Sequence, residues 1–331
     1  MNEIYLVTGA AGHLGRAVVE ELSNRGKKVR AFVLPVEKVI PDNVDVFLGD
    51  INDKDSIRLC FEDIDCSNLV VIHCAGIVSI ASKVNDLLYN VNVKGTMNIA
   101  DLCLEYGIRR LIYVSSVHAI PEKPHGEIIT EVNDFSPDYV IGSYAKTKAL
   151  ATSYVIDKIK EGLDACIVHP SGIVGPNDFG FGHTTLLIKD YYEGNLKLGI
   201  EGGYDFVDVR DVAMGIINAC EKGKSGECYI LSNKFFEVKE ILEILYELTG
   251  KNKVKLYVPL KFINIFSKLV EWYYISKKRK PLFTPYSIYT LNSNSLFSHK
   301  KATEQLGYNP REMRETLADI IEWLDYNKGL Q

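Results

Sequence analysis

Short, largely apolar runs alternate through the first half of the chain with stretches whose apolar positions recur every three to four residues. The runs Ile4–Thr8, Val29–Val33, Val44–Leu48, Leu69–His73 and Leu111–Ser115 have the character of strands covered on both faces. Between them, Leu14–Arg25, Lys54–Phe61 and Asp86–Tyr106 carry the spacing of amphipathic helices. The alternation predicts βαβ units feeding an α/β fold with a doubly wound parallel sheet. A long helix is expected from Tyr144 toward Lys160, then a strand at Ala165–His169. After Pro176 the runs shorten and glycine and proline become more frequent, with helices expected at Val238–Thr249, Phe262–Ser276 and Glu315–Tyr326.

The segment Thr8-Gly9-Ala10-Ala11-Gly12-His13-Leu14-Gly15 follows the first strand and opens the first helix. Glycines there let the backbone turn sharply and approach a pyrophosphate, whose charge then rests on the helix N-terminus. A glycine pattern alone is weak, but its place at the head of a βαβ array makes it a candidate dinucleotide site. Gly9, Ala11, Gly12, His13, Leu14 and Gly15 are its candidate contacts. Residues 1–176 therefore read as a Rossmann-type dinucleotide-binding domain, to which 205–235 returns. Residues 177–331 read as a smaller, interleaved α/β substrate domain.

The second strand ends in Ala31-Phe32-Val33-Leu34-Pro35, without the acid that grips an unphosphorylated adenosine ribose. Glu37 comes a little late. Arg30 within the strand and Lys38 beyond it are candidate neighbours of a 2′-phosphate, and Leu34 at the strand end is a candidate cofactor contact. The cofactor expected is NAD(P), leaning to NADP.

Tyr144 and Lys148 stand four apart and share a helix face. A phenol with a pKa of about 10 is a poor acid–base catalyst at neutral pH. A neighbouring ammonium and the positive ring of an oxidised nicotinamide lower that value. Ser115-Ser116, at the C-terminal end of a predicted parallel strand, lies where open sheets present ligand-facing groups. Tyr144, Lys148 and one hydroxyl of the Ser115-Ser116 pair are the candidate catalytic groups.

Charge and cysteines narrow the partners. A net charge of −5 gives no reason to expect nucleic acid. Cys60, Cys66, Cys74, Cys103, Cys166, Cys220 and Cys228 form no Cys-x-x-Cys, so neither a disulfide framework nor a zinc site is signalled, and no metal is expected. No apolar run approaches the roughly 20 residues of a membrane span. Met1–Tyr5 lead straight into a strand, and the expectation is a cytoplasmic protein.

Taken with the glycine loop, Gly49-Asp50-Ile51, Val71-Ile72-His73-Cys74-Ala75-Gly76, Asn92-Val93-Lys94-Gly95-Thr96, Tyr113-Val114-Ser115-Ser116 and Tyr144/Lys148, the chain resembles the extended short-chain dehydrogenase/reductases. The second half adds His169-Pro170-Ser171-Gly172-Ile173-Val174-Gly175-Pro176 and Phe206–Ala213. The resemblance implies that Asp50 and Ile51 flank the adenine. It also implies that Cys74, Ala75 and Gly76 line the cofactor cleft beside His73, with Pro170 nearby. It implies further that Asn92 shapes the helix at the active site, that Lys148 also binds the nicotinamide ribose, and that Ser116, the second of the serine pair, is the catalytic hydroxyl, with Ser115 as the fallback. His73 is open between cofactor contact and a structural role.

Within that family, dehydratases carry Thr-Asp-Glu where this chain has Ser116-Val117-His118, which disfavours dehydration. Epimerases carry Arg-x-x-Asn-x-Tyr-Gly-Pro, whereas here His169 and Gly172 stand in place of the Arg and Asn. The segment is closer to the dihydroflavonol reductase-like branch, which implies a reductase acting on a small-molecule aldehyde or ketone. A nucleotide-sugar epimerase is the alternative, and a non-catalytic NAD(P)-binding sensor the second. Arg210 is open between holding an anionic substrate group and pairing structurally, the role expected of Asp211. The resemblance also implies a homodimer through the helices bearing Asn92 and following Tyr144. Their faces Val93-Met97-Ala100-Leu104 and Ala149-Thr152-Val155-Ile159 are equally compatible with packing on the sheet. Finally, Phe262–Ile275 with the basic run Lys277–Lys280 reads as a packed helix and solvated charges, the alternatives being a pocket cap or a membrane-surface helix.

Overall fold

The computed structural model describes residues 3–37, 44–79, 85–251, 253–260 and 285–327. Seven strands are built from the apolar runs: β1 (Ile4–Thr8), β2 (Lys28–Val33), β3 (Asp45–Leu48), β4 (Leu69–His73), β5 (Arg110–Val114), β6 (Ala165–Pro170) and, late in the chain, β10 (Cys228–Leu231). They form one sheet in the order β10-β6-β5-β4-β1-β2-β3, every pairing parallel. Successive side chains of a strand point to opposite faces, and here both faces are covered. Leu6, Val71, Leu111 and Ile167 pack against α4 (Thr96–Glu105) and α5 (Ser143–Lys160). Tyr5, Val7, Ile72, Ile112 and Val168 pack against α1 (His13–Asn24) and α7 (Val209–Lys222). The chain runs outward in one direction from β1 and in the other from β4, so a crevice opens where their C-terminal ends part.

The expected helix Asp86–Tyr106 is divided. α3 (Asp86–Tyr89) runs into a π-helical turn, Asn90–Gly95, before α4. Such a turn inserts one residue into the helical ladder and re-aims its side chains. Lys54–Phe61 likewise splits into α2 (Lys54–Arg58) and a 3₁₀ turn, Leu59–Phe61. Val93, Ala100, Ala149, Thr152 and Val155 are buried, and Ala100, Ala149 and Val155 belong to the core on this face of the sheet. On the outer side of these helices Asp101 accepts from Lys54 Nζ at 2.8 Å and from the Tyr154 hydroxyl at 2.6 Å.

The second half wraps a smaller core. β7 (Gly172–Val174), β9 (Gly203–Asp208) and β11 (Lys234–Glu237) form a sheet in the order β11-β9-β7, and β8 (Gly199–Ile200) pairs with β12 (Tyr257–Val258). Thus 209–231 lies with the large sheet, whereas the strands on either side belong to the small one. α6 (His183–Tyr192), α8 (Val238–Thr249) and α11 (Met313–Tyr326) enclose Ile188, Phe236, Leu245 and Ile320. α9 (Pro285–Asn292) and α10 (Lys300–Leu306) complete the described helices. The expected helix Phe262–Ser276, the basic run Lys277–Lys280 and Lys38 lie outside the described residues. No helix among the described residues is long and apolar enough to cross a membrane.

Candidate active site

The glycine loop closes the crevice at β1. Gly9 has φ +66°, and a Cβ on it would meet the Ala75 Cα at 2.7 Å. A Cβ on Gly15 would lie 2.1 Å from the Gly9 carbonyl oxygen. Side chains are thus excluded where α1 meets the loop. Gly12, the N-cap of α1, offers no side-chain cap, so the first N–H groups of the helix are left for an anion. This cradle fits a dinucleotide pyrophosphate. Cys74, Ala75 and Gly76 follow β4 directly opposite. Cys74 N donates to Thr8 O at 3.2 Å, and Ala75 N to Thr8 Oγ1 at 3.3 Å. His13 leaves the loop to bond Pro176 O at 3.0 Å, while Ala11 and Leu14 pack toward the core.

At the outer end, Asp50 and Ile51 follow β3. The Asp50 carboxylate accepts from Asn52 N at 2.9 Å, and Ile51 O accepts from Asn98 Nδ2 at 3.0 Å. Leu34 is exposed at the tip of β2. Arg30 corrects the expectation of a 2′-phosphate ligand. Its guanidinium donates to Cys60 O and Glu62 O, both at 2.8 Å, and lies over the Phe47 ring. Arg30 sits too early in β2 to reach the tip, and it anchors the segment after α2.

Asn92, Lys148 and Gly76 converge at the inner end. Asn92 is buried in the π-helical turn. Its amide oxygen accepts from Ile77 N at 2.8 Å, and its nitrogen donates to Ile77 O at 2.9 Å. A Cβ on Gly76 would lie 3.4 Å from Lys148 Nζ and 3.5 Å from Asn92 Oδ1. Lys148 Nζ donates to Val114 O at 2.8 Å and stands over the Tyr113 ring. Burial lowers its pKa to about 8.

Tyr144 lies one turn earlier on α5. Its hydroxyl interacts with that of Ser116, the N-cap residue of a 3₁₀ turn after β5. Ser115 points elsewhere and bonds Thr152 Oγ1 at 2.7 Å, which leaves Ser116 as the partner. The expected lowering of the phenol is not found in the chain by itself. Burial pushes Tyr144 up to about 12, and the Ser116 hydrogen bond only partly opposes it. Lys148 is directed at the strand carbonyl instead of the phenol.

Two histidines prove structural. His73 is buried between Thr8 Oγ1 at 2.7 Å and Thr96 Oγ1 at 3.1 Å, tying β1, β4 and α4 together. His169 Nδ1 bonds Ser116 O at 2.9 Å and so steadies the Ser116 peptide. Pro170 closes β6 beside it and is buried.

His118, on the loop that follows Ser116, gathers two tyrosines that no sequence motif marks. Its Nε2 bonds the Tyr204 hydroxyl at 3.1 Å and its Nδ1 the Tyr286 hydroxyl at 3.3 Å. The imidazole meets the Tyr144 ring edge-on at 5.8 Å. Burial lowers His118 to about 4, so the group is neutral at pH 7. Tyr286 of α9 packs on the bare backbone of Gly142, the N-cap of α5, where a Cβ would lie 2.1 Å from its ring. The tyrosines lie 86 and 168 residues away along the chain, so only folding brings them here.

Arg210 is a clamp. It bonds Asp208 at 2.6–2.9 Å and Asp319 of α11 at 2.6 Å. Asp211 pairs with Arg311 at 3.0 Å, the structural role expected of it. The reading of Arg210 as an anion ligand is therefore corrected, because two carboxylates already satisfy its charge.

Fold and site together define an NAD(P)-binding Rossmann protein of the extended short-chain dehydrogenase/reductase type. The model described as the NAD dependent epimerase/dehydratase family matches residues 5–232, and the chain belongs to that family. Sterol demethylase protein B of Methylococcus capsulatus is 33% identical, over 96% of this chain and 97% of its own. A Synechocystis protein provisionally named dihydroflavonol 4-reductase is 31% identical, over 98% and 95%. Among solved structures, the crystal structure of gox2253 has a TM-score of 0.84 at 29% identity, covering 99% of both chains.

Proposed function

We propose that the chain is an NAD(P)-dependent oxidoreductase that interconverts an aldehyde or ketone with its alcohol. The observation that carries this reading is the convergence of Ser116, Tyr144, Lys148 and Asn92 at the inner end of the dinucleotide cradle. A bound reduced nicotinamide supplies the hydride, and in the oxidised state its positive ring favours the phenolate. In reduction, Tyr144 gives its proton to the carbonyl oxygen, while the Ser116 hydroxyl donates a hydrogen bond to the same oxygen. Lys148 would hold the nicotinamide ribose as an ammonium, and Asn92 keeps the Ile77 peptide and the π-helical turn in place beside it.

Reduction is favoured over nucleotide-sugar epimerisation by Gly172. A Cβ there would lie 2.9 Å from Asp205 O and 3.0 Å from the Phe206 and Tyr204 rings, so this chain has no room for the epimerase asparagine. The wall beside Tyr144 is aromatic and uncharged, and Arg210 is ion-paired. Both features suit a neutral carbonyl compound. The relatives' names point the same way, since they refer to a sterol and a dihydroflavonol.

The test is Tyr144→Phe with a panel of apolar ketones, aldehydes and nucleotide sugars. The variant is expected to bind cofactor normally and to lose carbonyl reduction by about 10²-fold or more. Undiminished turnover removes Tyr144 from the mechanism. A wild-type protein that binds cofactor but turns over nothing on the panel favours the sensor reading.

A further inference from the structure

We infer that His118 turns the Tyr286 hydroxyl proton into the site, where it selects a carbonyl substrate with a second, uncharged oxygen beside the reacting one. The inference rests on the oxidoreductase reading. It adds to that site a specificity-determining residue, Tyr286, and a positioning residue, His118.

His118 is placed by its own backbone. Its N–H donates to Ser116 Oγ at 3.2 Å, and Ala119 N donates to Ser116 O at 3.0 Å. The turn after β5 thus closes around the hydroxyl that faces Tyr144. The imidazole lies flat on the Tyr204 ring, 5.6 Å between centroids at an interplanar angle of 11°, with the Tyr286 ring 6.1 Å away.

A neutral imidazole has one N–H and one lone pair. Its two nitrogens face two hydroxyls, so one tyrosine gives the ring a proton and the other accepts one from it. Tyr204 belongs to the core on the α4–α5 face of the sheet, with Phe206 and Phe297 edge-on at 6.0 and 6.2 Å. Among the described residues its hydroxyl bonds to His118 Nε2 alone. An unpaired O–H in that core costs about 1–3 kcal/mol, so Tyr204 donates to Nε2 and the ring hydrogen sits on Nδ1. Nδ1–H then donates to the Tyr286 oxygen at 3.3 Å, and Tyr286 keeps its own proton. Thr290, one turn on, directs its hydroxyl to the Tyr286 backbone oxygen at 3.0 Å. The Tyr286 and Tyr144 phenols lie within each other's field, each charge opposing the other. Two O–H donors therefore serve one space, Tyr144 for the reacting oxygen and Tyr286 for a neighbour. An analogue without that neighbour leaves a buried donor unpaired, the condition under which a site discriminates strongly.

The first arm of the test needs no substrate. In protein carrying ¹⁵N-histidine, long-range nitrogen–proton spectra distinguish the two tautomers, and the His118 signal is the one missing from His118→Asn. The Nδ1–H form is expected; the Nε2–H form overturns the inference. The second arm compares the α-methoxy and α-ethyl derivatives of cyclohexanone and acetophenone, pairs alike in shape of which only the first carries the extra acceptor. Wild type is expected to favour the methoxy member about tenfold in kcat/KM, chiefly through KM. Tyr286→Phe should bring the ratio close to unity. His118→Asn, whose amide N–H replaces Nδ1–H, should keep the preference, and His118→Gln, whose amide replaces Nε2, should lose it. A merely structural role moves both His118 variants alike. Equal ratios in wild type and Y286F, or in H118N and H118Q, overturn the inference. Turnover of none of the ketones by cofactor-bound wild type overturns the oxidoreductase reading itself, and the tautomer keeps that failure distinct from a misplaced proton.

Discussion

The Lys148 ammonium donates a 2.8 Å hydrogen bond to the carbonyl oxygen of Val114, joining α5 to the end of β5. This contact holds a cation inside the protein, and burial brings its pKa down to about 8. The proposed ribose contact requires the charged form. NADH affinity is therefore expected to fall about 3- to 10-fold between pH 7 and pH 9.5, since charge-assisted hydrogen bonds are roughly twice as strong as neutral ones. Lys148→Met should bind more weakly and lose this pH dependence. Titration calorimetry at the two pH values checks it, and a wild-type profile as flat as the variant's contradicts it.

His73, His118 and His169 are held neutral by burial, with pKa values lowered to about 3, 4 and 4. The unfolded chain takes up these protons near pH 6.5, before the folded chain does. Their contribution to stability is present above pH 6.5 and is lost as the pH falls toward 4. Three protons correspond to a slope of up to about 4 kcal/mol per pH unit. Urea unfolding at pH 7 and pH 5 should show the loss, and His118→Gln should reduce the slope by about one proton. Equal stability at both pH values refutes the prediction.

Asp205 has the opposite sign. Its Oδ1 accepts from Ser171 Oγ at 2.5 Å and Asn233 N at 3.0 Å, whereas Oδ2 is buried with no partner among the described residues. Burial raises its pKa to about 6, so it offsets one of the histidine protons. Its contribution is fully present below about pH 4, the ordinary carboxyl value, and is lost as the pH rises through about 6. Asp205→Asn keeps the Oδ1 contacts and cannot ionise. It should stabilise the protein at pH 8 by about 1–3 kcal/mol and change little at pH 4. Destabilisation at pH 8 in denaturant melts contradicts the prediction.

Gly142 has φ +104°, and a Cβ there would lie 2.1 Å from the Tyr286 ring. Gly142→Ala is expected to destabilise by about 1–3 kcal/mol through backbone strain and overpacking. Combining it with Tyr286→Ala relieves the steric part, so the double variant should lose less than the sum of the single losses. Strict additivity in a double-mutant cycle rules out this contact.

The sheet was legible because buried parallel strands leave uninterrupted apolar runs, and α8 occupies Val238–Thr249 as its periodicity predicts. The glycine loop was legible because its spacing sits between a strand and a helix. Arg30 and Arg210 were not. A linear pattern marks a charge but not which carbonyls or carboxylates fold around it. The residues by themselves leave Ser115 and Ser116 equivalent, and the Thr152 contact of Ser115 agrees with the preference for Ser116 that the resemblance implies; the π-helical turn at Asn92 leaves no periodicity of its own. Glu37 comes a little late in the sequence, and a turn that no pattern marks brings its carboxylate back to Leu34 N at 2.8 Å.

The late arrival of β10 and α9 gives the molecule an order of assembly during synthesis. The last strand of the large sheet ends at Leu231, so the dinucleotide cradle can close while the residues that follow are still being made. The wall beside Tyr144 must wait for Tyr286 to reach His118 and Gly142. A nascent chain should therefore acquire affinity for its cofactor before it can act on anything. Protein truncated after residue 231 is the species in which that interval could be held open and studied.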